Sequence, residues 1–295
     1  MIELEDGARL WTVTEGDGRP VICCHGGPGG TDTLAPLARM LTDVARVHRY
    51  DQRACGRSSG GPPFTMARWV EDLEALRRHW GHRRWVVAGH SFGAALALAY
   101  ALEHPERTEA VIYLSCVLRL HGQPDWYEQY RRARVARMPE PLRQRYRELR
   151  RRRDGPGRAD ATVEAELRRL TARTDFAAPD GAEHLVELQE AELAMVDDEV
   201  NRELGADFQR LFATPAVRQR LRALDVPMLL VHGDADPRPV AAVQTLASEL
   251  PQSRLVVLDG VAHFPYWEAP ESLEQLLRTF LTHDAIDARL TGDGG

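Results

Sequence analysis

The chain contains no lysine; all 38 of its basic side chains other than histidine are arginine. That excludes Schiff-base chemistry on a lysine side chain. Cysteine is scarce as well. The four thiols, Cys23, Cys24, Cys55 and Cys116, show no paired C-x-x-C spacing, so neither a zinc site nor a disulfide framework is expected, and no metal or other cofactor is implied. Nowhere does the uninterrupted run of about eighteen apolar residues occur that a membrane span requires. Met1 to Gly7 has neither the basic start nor the apolar stretch of a secretory leader. A cytoplasmic protein without a membrane partner is the expectation. The formal net charge of -6 argues against nucleic acid as a partner, because phosphate binding needs a basic surface.

What is present centres on Gly89-His90-Ser91-Phe92-Gly93. Before it comes Trp85-Val86-Val87-Ala88, rich in β-branched residues as a buried parallel strand should be. After it, Ala94 to Tyr100 is a run of alanine and leucine that reads as helix. Strand, sharp turn and helix form the context in which a G-x-S-x-G serine is lifted out as an exposed nucleophile.

The 295 residues suffice for one large α/β domain carrying an insertion. Alternation over residues 9–14 and the turn at Gly16 to Pro20 predict an opening antiparallel hairpin. The apolar strand Val21-Ile22-Cys23-Cys24 runs into His25-Gly26-Gly27-Pro28-Gly29-Gly30, whose glycines leave backbone N–H groups accessible, as an oxyanion site needs. A helix over about 33–42 and a strand over 45–50 lead to Asp51-Gln52-Arg53-Ala54-Cys55-Gly56-Arg57-Ser58-Ser59, a second polar loop at a strand's carboxyl end, where open α/β sheets place ligands. Residues 65–80 form an amphipathic helix and 110–114 a strand. Short alternating strands and helices indicate a mostly parallel, doubly wound sheet.

From about 118 to 224 no strand is evident, and arginine- and glutamate-rich helical stretches dominate, broken at Pro139, Pro141, Gly155-Pro156-Gly157 and Pro179-Asp180-Gly181. A helical cap fits this better than a loop of about a hundred residues. The core therefore comprises 1–117 and 225–295. It resumes with Pro227 to His232, a helix over 240–249, a strand over 255–258 and a helix over 271–281, before a polar tail from Asp284. The arginine run from Arg131 to Arg153, accompanied by glutamates, reads as a solvated cap face.

A serine hydroxyl must lose its proton to a positioned base as it attacks, and a carboxylate fixes that base's tautomer. Ser91, an aspartate at 234 or 236, and His263 lie at the ends of separate strands in the order expected of α/β-hydrolase sheets. Asp236 is preferred as the acid, because it reaches farther past the strand end while Asp234 suits the turn. The N–H groups of Phe92 and Gly27 are the expected oxyanion donors.

The motifs His25-Gly26-Gly27-Pro28-Gly29, Asp51 to Ser58 and Gly89 to Gly93 together resemble the proline iminopeptidase group of α/β-hydrolases. The resemblance implies a triad of Ser91, Asp236 and His263, with an oxyanion donor from the loop at Gly27. Phe92 and Ala54 stand where that group commonly has tryptophan and glycine. The group also binds the substrate's free amino group through glutamates in tryptophan-containing cap helices, but no tryptophan occurs here between Trp126 and Trp267. Glu199, in Asp198-Glu199-Val200-Asn201, and Glu190, with Glu192 beside it, are the candidates for that role. A serine hydrolase is expected, acting on small molecules or short peptides as an aminopeptidase or amidase. An esterase or lactonase is the alternative, and a non-catalytic receptor a more distant one.

Overall fold

A computed structural model describes residues 1–155, 161–179 and 182–282. The strands are β1 (Ile2–Glu3), β2 (Arg9–Leu10), β3 (Thr12–Glu15), β4 (Arg19–Cys24), β5 (Ala45–Tyr50), β6 (Trp85–His90), β7 (Thr108–Leu114), β8 (Met228–Gly233) and β9 (Ser253–Leu258). Seven of them form one sheet in the order β3-β5-β4-β6-β7-β8-β9, parallel except for β3, while β1 and β2 pair separately. Register aligns Cys24 with Gly89, His90 with Leu114, and Leu114 with Val231. The loops leaving β4, β6 and β8 therefore open on one edge.

Side chains alternate across the sheet as the two-residue period of a strand requires. Ile22, Val87, Tyr113 and Leu230 face one apolar layer, and Val21, Val86, Ile112 and Val231 the other. Around the sheet lie α1 (Ala35–Arg39), α2 (Met66–His79), α3 (Phe92–Glu103), and, between β7 and β8, α4 (Trp126–Ala136), α5 (Glu140–Asp154), α6 (Ala161–Ala172), α7 (Glu183–Ala194), α8 (Asp198–Phe212) and α9 (Pro215–Ala223). After β8 come α10 (Val240–Glu249), α11 (Pro265–Glu268) and α12 (Pro270–Leu281).

The hairpin expected across the turn at Gly16 to Pro20 does not form; the opening antiparallel pair is β1 with β2. β3 pairs antiparallel with β5, because β4, buried from Val21 to Cys24, is flanked on both edges by parallel partners, leaving the half-exposed Thr12–Glu15 segment the outer edge. The helix expected over 33–42 is cut to α1. Within the span expected as a cap, Met138, Tyr146, Leu149, Val163 and Leu167 form a small core of their own. Val200, Leu204, Phe212, Val217 and Leu221 of α8 and α9 instead join the layer against the sheet. The arginines of α4 and α5 pair largely along or between helices, as Arg131 and Arg132 do with Glu128, and Arg145 with Glu148 and Glu166. The breaks at 156–157 and 180–181 and the polar tail lie outside the described residues.

Candidate active site

Between the end of β6 and the start of α3, Ser91 alone makes the turn, at φ 54° and ψ -126°. A residue with a β-carbon seldom adopts positive φ, and packing holds it there. A Cβ at position 89 would overlap the Gly93 carbonyl, and one at 93 would overlap the Cys24 carbonyl on the neighbouring strand. Both glycines meet a demand for space. Strand and helix close to contact, and Ser91 is presented at the N-terminus of α3, whose unpaired N–H groups favour negative charge. Phe92, the first helical residue, is buried against Phe208 of α8.

Ser91 opens into a cavity of about 260 Å³. Gly26, Gly27, Thr31, Thr33, His90 and His263 line its floor, and Tyr130, Arg134, Arg168, Asp175, Gln189, Glu192 and Asn201 approach from the segment between β7 and β8. His263 Nδ1 lies 2.8 Å from Asp236 Oδ2. A carboxylate can only accept, so Nδ1 carries the proton and Nε2 keeps its lone pair. Burial and then the Arg238 guanidinium lower the His263 pKa, partly offset by Asp236. Burial opposes ionisation of Asp236, but Arg238 and then His263 outweigh it and hold its carboxyl well below the usual carboxylate range. Arg238 donates to the other oxygen, Oδ1, from its backbone N at 2.9 Å and Nη1 at 3.0 Å. Asp234 Oδ1 instead accepts from Gly260 N at 2.8 Å, bracing the turn.

His90 carries a function that its place inside the elbow motif did not reveal. It is buried, its Nε2 donates to the His263 carbonyl at 2.8 Å, and the two rings lie 4.7 Å apart. Burial, then His263, keeps its pKa well below normal, so it supports the base loop as a neutral ring.

The glycine loop is fixed from behind. His25, whose pKa burial lowers, donates through Nδ1 to the Gly26 carbonyl at 2.7 Å and accepts at Nε2 from Gln52 N at 3.0 Å. Gln52 returns a bond to the His25 carbonyl and accepts from Trp69. Asp51 receives Thr31, the Asp32 N–H and Arg57, while Arg53 forms a two-point pair with buried Asp72 at 2.8 and 2.5 Å. The loop from Asp51 to Ser58 thus braces the candidate oxyanion loop, and it contributes no lining to the cavity.

Neither Glu190 nor Glu199 lines the cavity. Glu199 is exposed in the first turn of α8, and Glu190 points off the face of α7 that carries Gln189, Glu192 and Leu193. The cavity-lining glutamate is Glu192, whose carboxyl is pushed up to about 8 by burial and then by Asp32. The spacing of residues 189, 192, 193 and 196 is that of one helical face, a signal present in the sequence once the direction of that face is known.

The family described as alpha/beta hydrolase fold matches residues 19–270, and the chain belongs to it. It is therefore a hydrolase. Among curated proteins it is similar to the proline iminopeptidase of Saccharolobus solfataricus, with 27% identity over 302 residues covering 92% of this chain and 87% of that protein. It is also similar to the proline iminopeptidase of Xylella fastidiosa, with 36% identity over 134 residues, 44% of this chain and under half, 43%, of that one. Among solved structures, a thermophilic esterase from Thermogutta terrifontis superposes with a TM-score of 0.69 at 27% identity, covering 94% of this chain and 95% of that. Among the described residues no helix is long and apolar enough to cross a membrane.

Proposed function

We propose that the chain is a serine hydrolase that cleaves an amide or ester bond through an acyl-enzyme, with Ser91, His263 and Asp236 as its triad. The observation that carries this is the 2.8 Å contact of His263 Nδ1 with Asp236, which leaves Nε2 free as the base in the same cavity as the strained Ser91. Ser91 Oγ attacks the acyl carbon as Nε2 takes its proton, the oxyanion is received by the N–H groups of Phe92 and Gly27, and His263 returns the proton to the departing group. Water then repeats the sequence on the ester of Ser91. No hydrogen bond joins Ser91 to His263 here; such contacts often close only around substrate.

The finer reading is an aminopeptidase or amidase on short peptides or small molecules, similar to the proline iminopeptidases, with Glu192 receiving the substrate's amine. Glu192 replaces Glu190 and Glu199 in that role because it alone of the three lines the cavity. An esterase reading has one observation in its favour: Arg134, Arg168 and Arg238 share the lining with Asp175 and an uncharged Glu192, surroundings that attract a cation weakly. Turnover of prolyl or alanyl anilides against aryl esters decides between them. Cleavage of esters alone, with no gain from a free amine, removes the aminopeptidase reading. The four buried free thiols support a cytoplasmic setting, where they stay reduced; no nucleic-acid or membrane partner enters this reading.

A further inference from the structure

Next to the base, in the lining of the same cavity, lies a group of charges to which the mechanism above gives no step. Asp175 belongs to the short 3-10 turn Arg173–Asp175 that follows α6. Both its oxygens accept from Arg134 Nη2 of α4, at 2.8 and 2.7 Å, and Oδ2 also accepts from Gln189 at 3.2 Å. Its Oδ1 accepts from Arg238 Nη1 at 3.1 Å, and the same nitrogen bonds Asp236 Oδ1 at 3.0 Å. The Asp175 carbonyl accepts the backbone N–H of His263 at 3.0 Å. Tyr130 lies under both guanidinium groups, 4.9 Å from each. One residue from the segment between β7 and β8 therefore grips the loop of the acid and the loop of the base at once.

We propose that Asp175 is a positioning residue for catalysis: it holds Arg238 against Asp236 and the His263 backbone in place, so that the base is correctly set only when this segment is seated. The proposal rests on the triad reading above.

The charge balance shows why a carboxylate is needed there. Arg134 and Arg238 face Asp175 and Asp236, two against two, and the imidazolium that forms on His263 is the next charge to be accommodated. Without Asp175, two buried guanidinium groups would share one carboxylate beside the place where a cation must develop, disfavouring it. Burial opposes ionisation of Asp175, but Arg134 and Arg238 outweigh it and hold the carboxyl down at about 2, so its charge is present throughout the working range. Among the other groups around His263, His90 stays neutral, burial raises the Tyr130 and Tyr266 hydroxyls, and Glu192 and Glu268, both raised by burial, are present in every variant compared below. Glu268 is bonded to the N–H groups of Ala177 and Ala262, tying the same two segments together.

The test follows the rate of fluorophosphonate labelling of the full-length protein against pH in the wild type, Asp175→Asn, Arg134→Gln and the double variant. Asp175→Asn should label about tenfold or more slowly at neutral pH, with its acid limb moved to lower pH. Arg134→Gln, which leaves the carboxylate in excess, should move the limb the other way, and the double variant, again balanced, should return it towards wild type. A purely structural role does not give opposite shifts and their cancellation. Should Asp175→Asn fail to fold, the sign of the Arg134→Gln shift still decides. An unmoved limb in either single variant, or one that moves alike in both, overturns the proposal and leaves the triad reading standing. A wild type that does not label at all removes both.

Discussion

Glu192 offers a magnitude that can be followed through to an assay. Its carboxyl, pushed up to about 8 by burial and by Asp32, is mostly protonated at neutral pH, so receiving an ammonium group there requires the carboxyl to ionise. With a midpoint near 8, the ionised fraction rises roughly ninefold from pH 6 to 7 and about fivefold from pH 7 to 8. kcat/KM for an amine-bearing anilide should climb by about the first factor from pH 6 to 7 but only about two- to threefold from pH 7 to 8, because the substrate's own ammonium, with a pKa of about 8, is losing its proton there. An aryl ester without the amine should rise by no more than about threefold from pH 6 to 7 and level off above it, because His263 titrates below its ordinary value. In Glu192→Gln the climb should vanish. The charge-assisted bond, worth about 1.5–3 kcal/mol, corresponds to a loss of roughly 10- to 150-fold on the anilide, and the ester should change by no more than about threefold. Superimposable profiles for the two substrates, or equal losses on both in Glu192→Gln, would refute the reasoning. Stability gives a second reading with a fixed sign. A carboxyl whose folded pKa is raised contributes stability below its ordinary value of 4.5 that is lost as pH rises through about 8. Glu192→Gln should therefore melt higher than wild type at pH 9.

Three further outcomes are expected. Gly93→Ala drives a methyl into the Cys24 carbonyl, so it should lose more than about 3 kcal/mol in denaturant unfolding or fail to accumulate as folded protein. The acid limb of kcat/KM for a neutral ester should fall below pH 6.5, since burial and Arg238 both disfavour the protonated form of His263; a midpoint at or above 6.5 speaks against this environment. Arg53→Met leaves Asp72 buried without its two-point partner and should cost about 3–5 kcal/mol by the same unfolding measurement.

The elbow was legible because its requirements are local: β-branched strand, two glycines at a close approach and an alanine-rich helix occupy adjacent residues. The positions of Asp236 and His263 follow from strand ends, and the short connections made those ends readable. The pairing of β3 was not legible, because the partner of an edge strand is settled by which central strands have already filled the neighbouring places. The acidic lining was harder still. Glu190, Glu192 and Glu199 are alike in sequence, and only the seating of α7 and α8 against the sheet decides which of them turns inward. Asp175 carried no signal at all, since its partners lie at positions 134, 189, 238 and 263, far apart along the chain.

The claim on which the account depends is that Ser91 is the nucleophile activated by His263. Treatment with a fluorophosphonate, followed by peptide mapping, should find the adduct on the peptide containing Ser91. Ser91→Ala should take up none while keeping the wild-type circular dichroism and melting temperature. An adduct elsewhere, or equal labelling of Ser91→Ala, would contradict it.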